Sequence, residues 1–375
     1  MSPTREKVYV ALSGGVDSAV AASLLLREGH EVAGIYMKNW SSSDGLSTEC
    51  THLSDRRDAA RVAAHLDIPF EEVDFEAEYR AKVYKYFIDS YRSGLTPNPD
   101  VVCNSEIKFG ILLDYVKAKG ADKLATGHYA RVQGTNCHSR EGGNLIPDQV
   151  GDDKGNEEIF HLLRGVDKFK DQSYFLHRLT QDQLGRALFP LGELTKPEVR
   201  QLAKKFKLPN AKKKDSQGLC FVGKIDLKEF LQQEIPAAVG PVLDEDGQRI
   251  GEHPGAVFYT IGQRHGLSVA QGSPQYVVAI DLATNTVVLG SNKELERQEF
   301  EVSDIHWITD PPKLPASLQV QIRYRSQPIP AVLTTGGLLK LEEPVRAVAP
   351  GQFAVLLSSE EVLGGGVITR STFTR

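Results

Sequence analysis

The chain has 375 residues, 41% of them apolar and 25% charged, and a formal net charge of −5. These values fit a globular protein of two or three domains with ample core, and they exclude a disulfide scaffold and a uniformly basic nucleic-acid binder. No apolar run approaches a membrane span, and the opening "MSPTREK" lacks an apolar signal core, which points to the cytoplasm.

Residues 7–13 read as a buried strand, followed by a helix from Asp17 to Glu28 that stops at Gly29. A second strand is expected at 31–37, an amphipathic helix at 53–66, a third strand at 70–75 and a third helix at 76–92. Two prolines in "PNPDVVCN" (97–104) predict a loop, with a helix after it from Ser105 to Lys119 and a strand within 121–129. Strands alternating with helices predict a parallel sheet covered on both faces. Residues 134–157 have no period and are rich in Gly, Asn, Asp and Ser, as in an exposed insertion loop, with Cys137 and His138 incidental. "TKPE" (195–198) is a capping box with Thr195 as N-cap. It opens a basic stretch, 196–214, that holds eight Lys or Arg against one Glu. A solvated helix face is the plainer explanation, and a phosphate backbone is a compatible partner.

After about residue 216, short strands and Gly or Pro turns take over. In "SLQVQIRYR" (317–325), Leu318, Val320, Ile322 and Tyr324 fall on one face and Gln319, Gln321, Arg323 and Arg325 on the other. Similar strands at 275–280, 286–290, 329–334, 338–342 and 352–357 predict a C-terminal β-barrel. The expected organisation is an α/β domain at 1–215, a small central β-rich module at 216–283 and a barrel at 284–375.

The stretch "ALSGGVDS" (11–18) joins the first strand to the first helix. A glycine turn there makes an anion site, because helix N–H groups point outward and the helix dipole adds positive potential. Gly14 and Gly15 let phosphate oxygens approach the backbone, and Ser13 and Ser18 add hydroxyl donors. Asp17 is out of place among anions unless Mg²⁺ bridges it to them. No lysine follows the glycines, so this is not a Walker A loop. The G-x-x-x-x-G-K spacing at 218–225 ends in Ile225 instead of Ser or Thr and carries little weight. The full S-G-G-x-D-S resembles the PP-loop of ATP pyrophosphatases. Members of that superfamily split ATP between its α and β phosphates and leave AMP on a substrate oxygen.

Two cysteines bear on the nucleophile. Cys103 lies just before the predicted helix, and Cys220 lies in "KKKDSQGLCF" after three lysines. Helix N-termini and cations favour a thiolate. A lone cysteine is more often a small buried hydrophobe, but both of these sit in polar sequence.

"SGGVDS", "MKNW" (37–40), "NPDVVCN", "ATGHYAR" (125–131), "KDQSYFL" (170–176), "DSQGLCF" and "LGGGVI" (363–368) occur here in the order seen in the tRNA-specific 2-thiouridylase family. The resemblance covers nearly the whole chain except 134–157. It implies an adenine-nucleotide α-hydrolase-like N-terminal domain that uses ATP and Mg²⁺. ATP would be held by Ala11, Leu12, Ser13, Gly14, Gly15, Val16, Asp17, Ser18, Met37 and Gly127. Asn98, Pro99 and Asp100 would contact the target base, with His128, Lys170, Asp171, Gln172, Arg323, Tyr324 and Gln352 at the tRNA. Cys220 would carry a persulfide loaded by a cysteine desulfurase or a sulfur-relay carrier, and Cys103 would be its catalytic partner. The implied reaction adenylates O2 of the wobble uridine in the anticodon stem-loop and places sulfur on C2, leaving a Cys103–Cys220 disulfide.

Other readings use the same residues. An amide-forming PP-loop synthetase would need an ammonia source and would leave both cysteines unexplained. A cluster-dependent tRNA thiolase would use Cys103 and Cys220 as ligands. A non-catalytic RNA-binding protein would have no use for "SGGVDS". No C-x-x-C pair is present, so no structural zinc site is expected.

Overall fold

The computed structural model describes residues 5–41, 52–136, 158–214, 227–266 and 274–370. Cys50, Cys137, Cys220 and the segment 218–225 lie outside the described residues. β1 (Lys7–Ala11) buries its three central residues, as expected of a strand covered on both faces. It pairs in parallel with β2 (Glu31–Lys38) and β4 (Lys123–Ala125). β3 (Phe70–Asp74) lies outside β2, and the two-residue β7 (Ala187–Leu188) lies outside β4. Helices α1 (Val16–Glu28) and α2 (His52–Leu66) follow the first two strands.

Helix α3 runs over 76–92 and α4 over 99–118, each with a π-helical stretch, Arg80–Tyr84 and Cys103–Leu112. The start of α4 departs from the expected Ser105. Asn98 is its N-cap and Pro99 its first residue. A proline is tolerated there because the N–H it lacks would have no helical acceptor anyway. Cys103 therefore sits inside a helix and is 4% exposed, not in a polar loop before one.

β5 (Ala130–Asn136) and β6 (Glu158–Arg164) form an antiparallel hairpin with 137–157 as its connection. They lie outside the parallel sheet. The hairpin extends the C-terminal sheet, where Leu162 and Leu163 of β6 pair with Val362 and Glu361. That sheet is a six-stranded barrel of β12 (Glu296–Trp307), β13 (Ala316–Gln321), β14 (Ile329–Leu333), β15 (Leu338–Arg346), β16 (Phe353–Ser358) and β17 (Glu361–Arg370), closed by pairing of β12 with β17. β13 ends at Gln321, four residues short of the expectation. Gln321 Nε2 donates to Ser326 O at 2.9 Å and folds 322–326 into a turn. Helices α5 (Gln181–Arg186) and α6 (Lys196–Lys205) bridge the two sheets in sequence. The central unit holds α7 (Leu227–Glu234) and a four-stranded sheet of β8 (Gly240–Leu243), β9 (Arg249–His253), β10 (Tyr276–Asp281) and β11 (Thr286–Gly290). β11, expected in the barrel, pairs with β10 and β8 instead.

The units share cores. Tyr9, Ile35, Phe109, Leu112 and Leu124 pack in one cluster with Phe353, Val355, Leu357 and Val362 of the barrel. Cys103 and Ile107 pack in another with Phe230, Val277, Val287 and Leu289 of the central unit. Helix α4 is the seam between them. The glycines of "LGGGVI" let β17 lie close to both β12 and His177. A Cβ at Gly364 would lie 2.0 Å from His306 O, and one at Gly365 would lie 2.6 Å from His177 Cδ2.

His177 is fully buried at this junction. Its ring centroid lies 4.9 Å from that of Phe353, and Nδ1–H donates to Tyr174 O at 2.7 Å. Nε2 makes no hydrogen bond. Burial pushes the His177 pKa down to about 3. Because the folded value lies below the unfolded one, the stabilising contribution is complete above about pH 6.5 and is lost as pH falls towards 3. Between about pH 6.5 and 3, denaturant unfolding of wild type should therefore weaken by up to about 1.4 kcal/mol per pH unit more than that of His177→Leu. Equal pH slopes for the two proteins would refute this.

Candidate active site

The first turn of α1 leaves the N–H groups of Val16, Asp17 and Ser18 without helical acceptors. Leu12 and Val16 bury their side chains in the core, so only their backbones face the turn. Gly14 takes φ 74°, a conformation glycine adopts without cost. The carbonyls of Gly14 and Gly15 both accept from Asn210 Nδ2, at 3.0 Å each, which turns them away from the ligand side. Ser18 Oγ donates to Gly15 O at 3.2 Å and lies 3.3 Å from Ser13 Oγ. Gly127 lies directly against the turn. A Cβ there would sit 2.7 Å from Ser18 N and block it. Gly14 is buried against the Asp55 carbonyl, so the turn is reached at Ser13, which is exposed, and at Gly15 and Asp17, which are half-buried.

Asp17 receives Lys196 Nζ on both carboxylate oxygens, at 2.7 and 2.8 Å, and the Tyr129 hydroxyl at 3.0 Å. The lysine absent from the loop is supplied by the start of α6. The capping box positions it, since Glu198 Oε2 accepts from both Thr195 N and Thr195 Oγ1 at 2.7 Å. Lys213 extends to Asp55 and Asp58 at 2.7 and 2.6 Å, and Arg200 donates to Lys213 O at 2.5 Å. Three of the eight basic residues at 196–214 thus face the protein, which corrects their reading as one solvated or RNA-facing stripe. Among the described residues, no three His, Cys, Asp or Glu side chains gather to hold a metal. Both oxygens of the loop carboxylate Asp17 are taken by Lys196, so a cation bound there must displace that ammonium.

A second group of candidates collects around α4. Asn98, Pro99 and Asp100 form its first turn, and Cys103 follows one turn later. Lys108, on the same helix, donates to Asn104 Oδ1 at 3.0 Å, and Asn104 Nδ2 donates to Phe175 O at 3.3 Å. His128 is buried against Phe109 and Phe189, with Nδ1 2.7 Å from Thr126 Oγ1. Burial first, and then the charge of Lys108, hold its pKa well below the ordinary histidine value, so the imidazole is neutral. The barrel reaches the same place. Gln352 Nε2 donates to Thr96 O and Pro97 O at 2.9 and 3.2 Å, and Thr96 N donates to Pro350 O at 2.8 Å. Tyr324 packs on Phe175 with centroids 4.6 Å apart. Segment 126–129 links the two groups, with Gly127 against α1 and His128 against α4.

Several residues expected at the tRNA have other work. Asp171 is buried and accepts from Gly165 N, Ser173 N and Arg164 Nε. Gln172 Oε1 accepts from Tyr129 N at 3.2 Å, and the Gln172 backbone N–H donates to Tyr129 O at 2.8 Å. Arg323 donates to Ala347 O. A turn's own polar groups need partners, and these side chains supply them. Met37, at the end of β2, packs between two cores. Lys196, Asn210 and Lys108 escaped the sequence reading. Only the capping box before Lys196 gave a signal.

Among the described residues, no helix is long and apolar enough to cross a membrane. A family profile described as a tRNA methyl transferase HUP domain matches residues 6–224, one described as a tRNA methyl transferase PRC-barrel domain matches 228–291, and one described as an aminomethyltransferase beta-barrel domain matches 297–368. The chain is 42% identical to a protein of Enterococcus faecalis named tRNA-specific 2-thiouridylase MnmA, over 98% of this chain and 96% of that one. It is 45% identical to a protein of the same name from Albidiferax ferrireducens, over 97% and 98% of the two chains. A solved 4-thiouridine synthetase–RNA complex with bound ATP is similar at 18% identity and a TM-score of 0.35, covering 62% of this chain and 51% of that one. With one profile spanning more than half the sequence and these relatives matched almost end to end, the chain belongs to the tRNA-specific 2-thiouridylase family.

Proposed function

We propose that this protein is an ATP-dependent tRNA-uridine 2-sulfurtransferase of the cytoplasm. The observation that carries the reading is segment 126–129. It lies against the α1 turn through Gly127 and, through His128, against α4, the helix that carries Cys103.

The N–H groups of Val16–Ser18 and the ammonium of Lys196 take the triphosphate, with Asp17 orienting that ammonium. Mg²⁺ neutralises phosphate charge when bound, and Asp17 is the loop carboxylate that would face it. The uridine O2 attacks the α phosphate and expels pyrophosphate, which converts the oxygen into a leaving group. The wobble base must leave its stack to reach the α4 turn at Asn98–Asp100. Cys220, loaded with a persulfide by a sulfur-donor protein, presents the terminal sulfur to C2. Cys103 takes the inner sulfur as AMP departs. The two thiols end as a disulfide, and an external thiol must reduce it. Lys108 places positive charge beside the base, and neutral His128 adds none.

Nucleoside analysis of tRNA incubated with ATP and a persulfide donor tests the proposal. Wild type should yield 2-thiouridine with AMP and pyrophosphate. Cys103→Ser and Cys220→Ser should each abolish 2-thiouridine while binding tRNA normally, and full activity in either would remove that cysteine from the scheme. Asp17→Ala should stop pyrophosphate release without lowering the melting temperature enough to unfold the protein. Lys196→Ala should raise the KM for ATP about tenfold, as expected for loss of one charge-assisted contact. An unchanged KM would show that Lys196 serves only to pair Asp17.

A further inference from the structure

Just past the end of β2, the Oδ1 atom of Asn39 is buried and meets no hydrogen-bond donor among the described residues. Its neighbours are tied down. Lys38 Nζ donates to Asp74 Oδ2 at 2.7 Å and lies 3.2 Å from Glu76 Oε2, and Phe75 N donates to Lys38 O at 3.0 Å. Glu76 also accepts from Ser41 Oγ and, at 3.1 Å, from Arg80 Nη2. The Arg80 guanidinium lies 3.9 Å from the Trp40 ring centroid. A buried acceptor in the state of Asn39 Oδ1 costs stability unless a donor from outside the chain reaches it.

The alternation of β2, continued by one residue, puts Asn39 on the face of Ile35 and Met37. That face is covered by α4: Ile35 and Met37 share a core with Phe109 and Leu112, and Met37 shares another with Cys103 and Ile107. β2 lies on one side of β1, whose end runs into the first turn of α1, and β4 lies on the other. Ligands of such sheets lie along the carboxyl ends of the strands. β4 leads to His128 and so to the uridine subsite, which leaves the end of β2 for the other base in the reaction.

We propose that Asn39 selects the nucleotide, its Oδ1 accepting a hydrogen bond from the exocyclic amino group of adenine. The proposal rests on the reading of this protein as an ATP-dependent enzyme and adds a specificity-determining contact to it. Phosphate contacts at the α1 turn are common to every nucleoside triphosphate, so the base is read elsewhere. A buried acceptor reads an amino group sharply, because a base without one leaves the oxygen unpaired.

The test measures pyrophosphate release by the full chain with tRNA, using ATP and purine riboside triphosphate, which lacks the 6-amino group. Wild type should show a KM about tenfold higher for the analogue. Asn39→Leu should raise the KM for ATP to about that of the analogue and use the two within twofold of each other. Asn39→Asp, which keeps an acceptor, should keep the preference for ATP. The melting temperature of Asn39→Leu should equal or exceed that of wild type, and a lower one would make Asn39 a structural residue and overturn the proposal. Equal use of the two nucleotides by wild type, or an undiminished ATP preference in Asn39→Leu, also overturns it and leaves the enzyme assignment standing. So does a raised KM for tRNA with an unchanged KM for ATP, which would give Oδ1 to the uracil N–H. A wild type that releases no pyrophosphate with ATP and tRNA overturns the functional reading as well.

Discussion

The first turn of α1 sets the terms for the rest of the molecule. A helix start holds N–H groups with no acceptor, and here a glycine neighbour at 127 keeps one of them uncovered. Such a cradle attracts anions but cannot tell where charge should move. Lys196 supplies that direction, and Asp17 and Tyr129 fix where its ammonium stands. Asn210 keeps the loop's carbonyls from turning towards the ligand. The functional end of the parallel sheet is therefore assembled from residues some two hundred positions apart, each satisfying a polar group that the turn itself leaves open.

The same logic governs the junction with the barrel. The turn at 349–352 holds the carbonyls of Thr96 and Pro97, the two residues before the N-cap of α4. The barrel thus helps to place the helix that carries Cys103. Cores on two sides of α4 hold that helix between the barrel and the central unit. The glycine run of β17 is part of this arrangement, since a side chain at 365 would meet the His177 ring and one at 364 would meet β12.

Much of this was legible in the sequence, where the signal was local. The strand–glycine–helix cradle, the capping box at Thr195 and the alternation in β13 each depend on neighbours a few residues apart. The start of α4 was misread because prolines end helices more conspicuously than they begin them. The Lys196–Asp17 pair and the Asn210 bonds have no local pattern, being separated by 179 and 195 or more positions. Asp171 and Gln172, placed at the tRNA by the resemblance, also bond to backbone groups around their own turn, which no local pattern announces. The fate of β6 was equally hidden, since a strand's residues do not name the sheet it will join.

That strand has a consequence for dividing the chain. Leu162 and Leu163 complete an edge that belongs to the barrel although they lie between two helices of the nucleotide unit. A chain cut after the α/β portion would expose this edge and the Phe109–Leu112 surface together, inviting self-association. The parallel-sheet unit and the barrel are thus bound by a common sheet edge as well as by a common core.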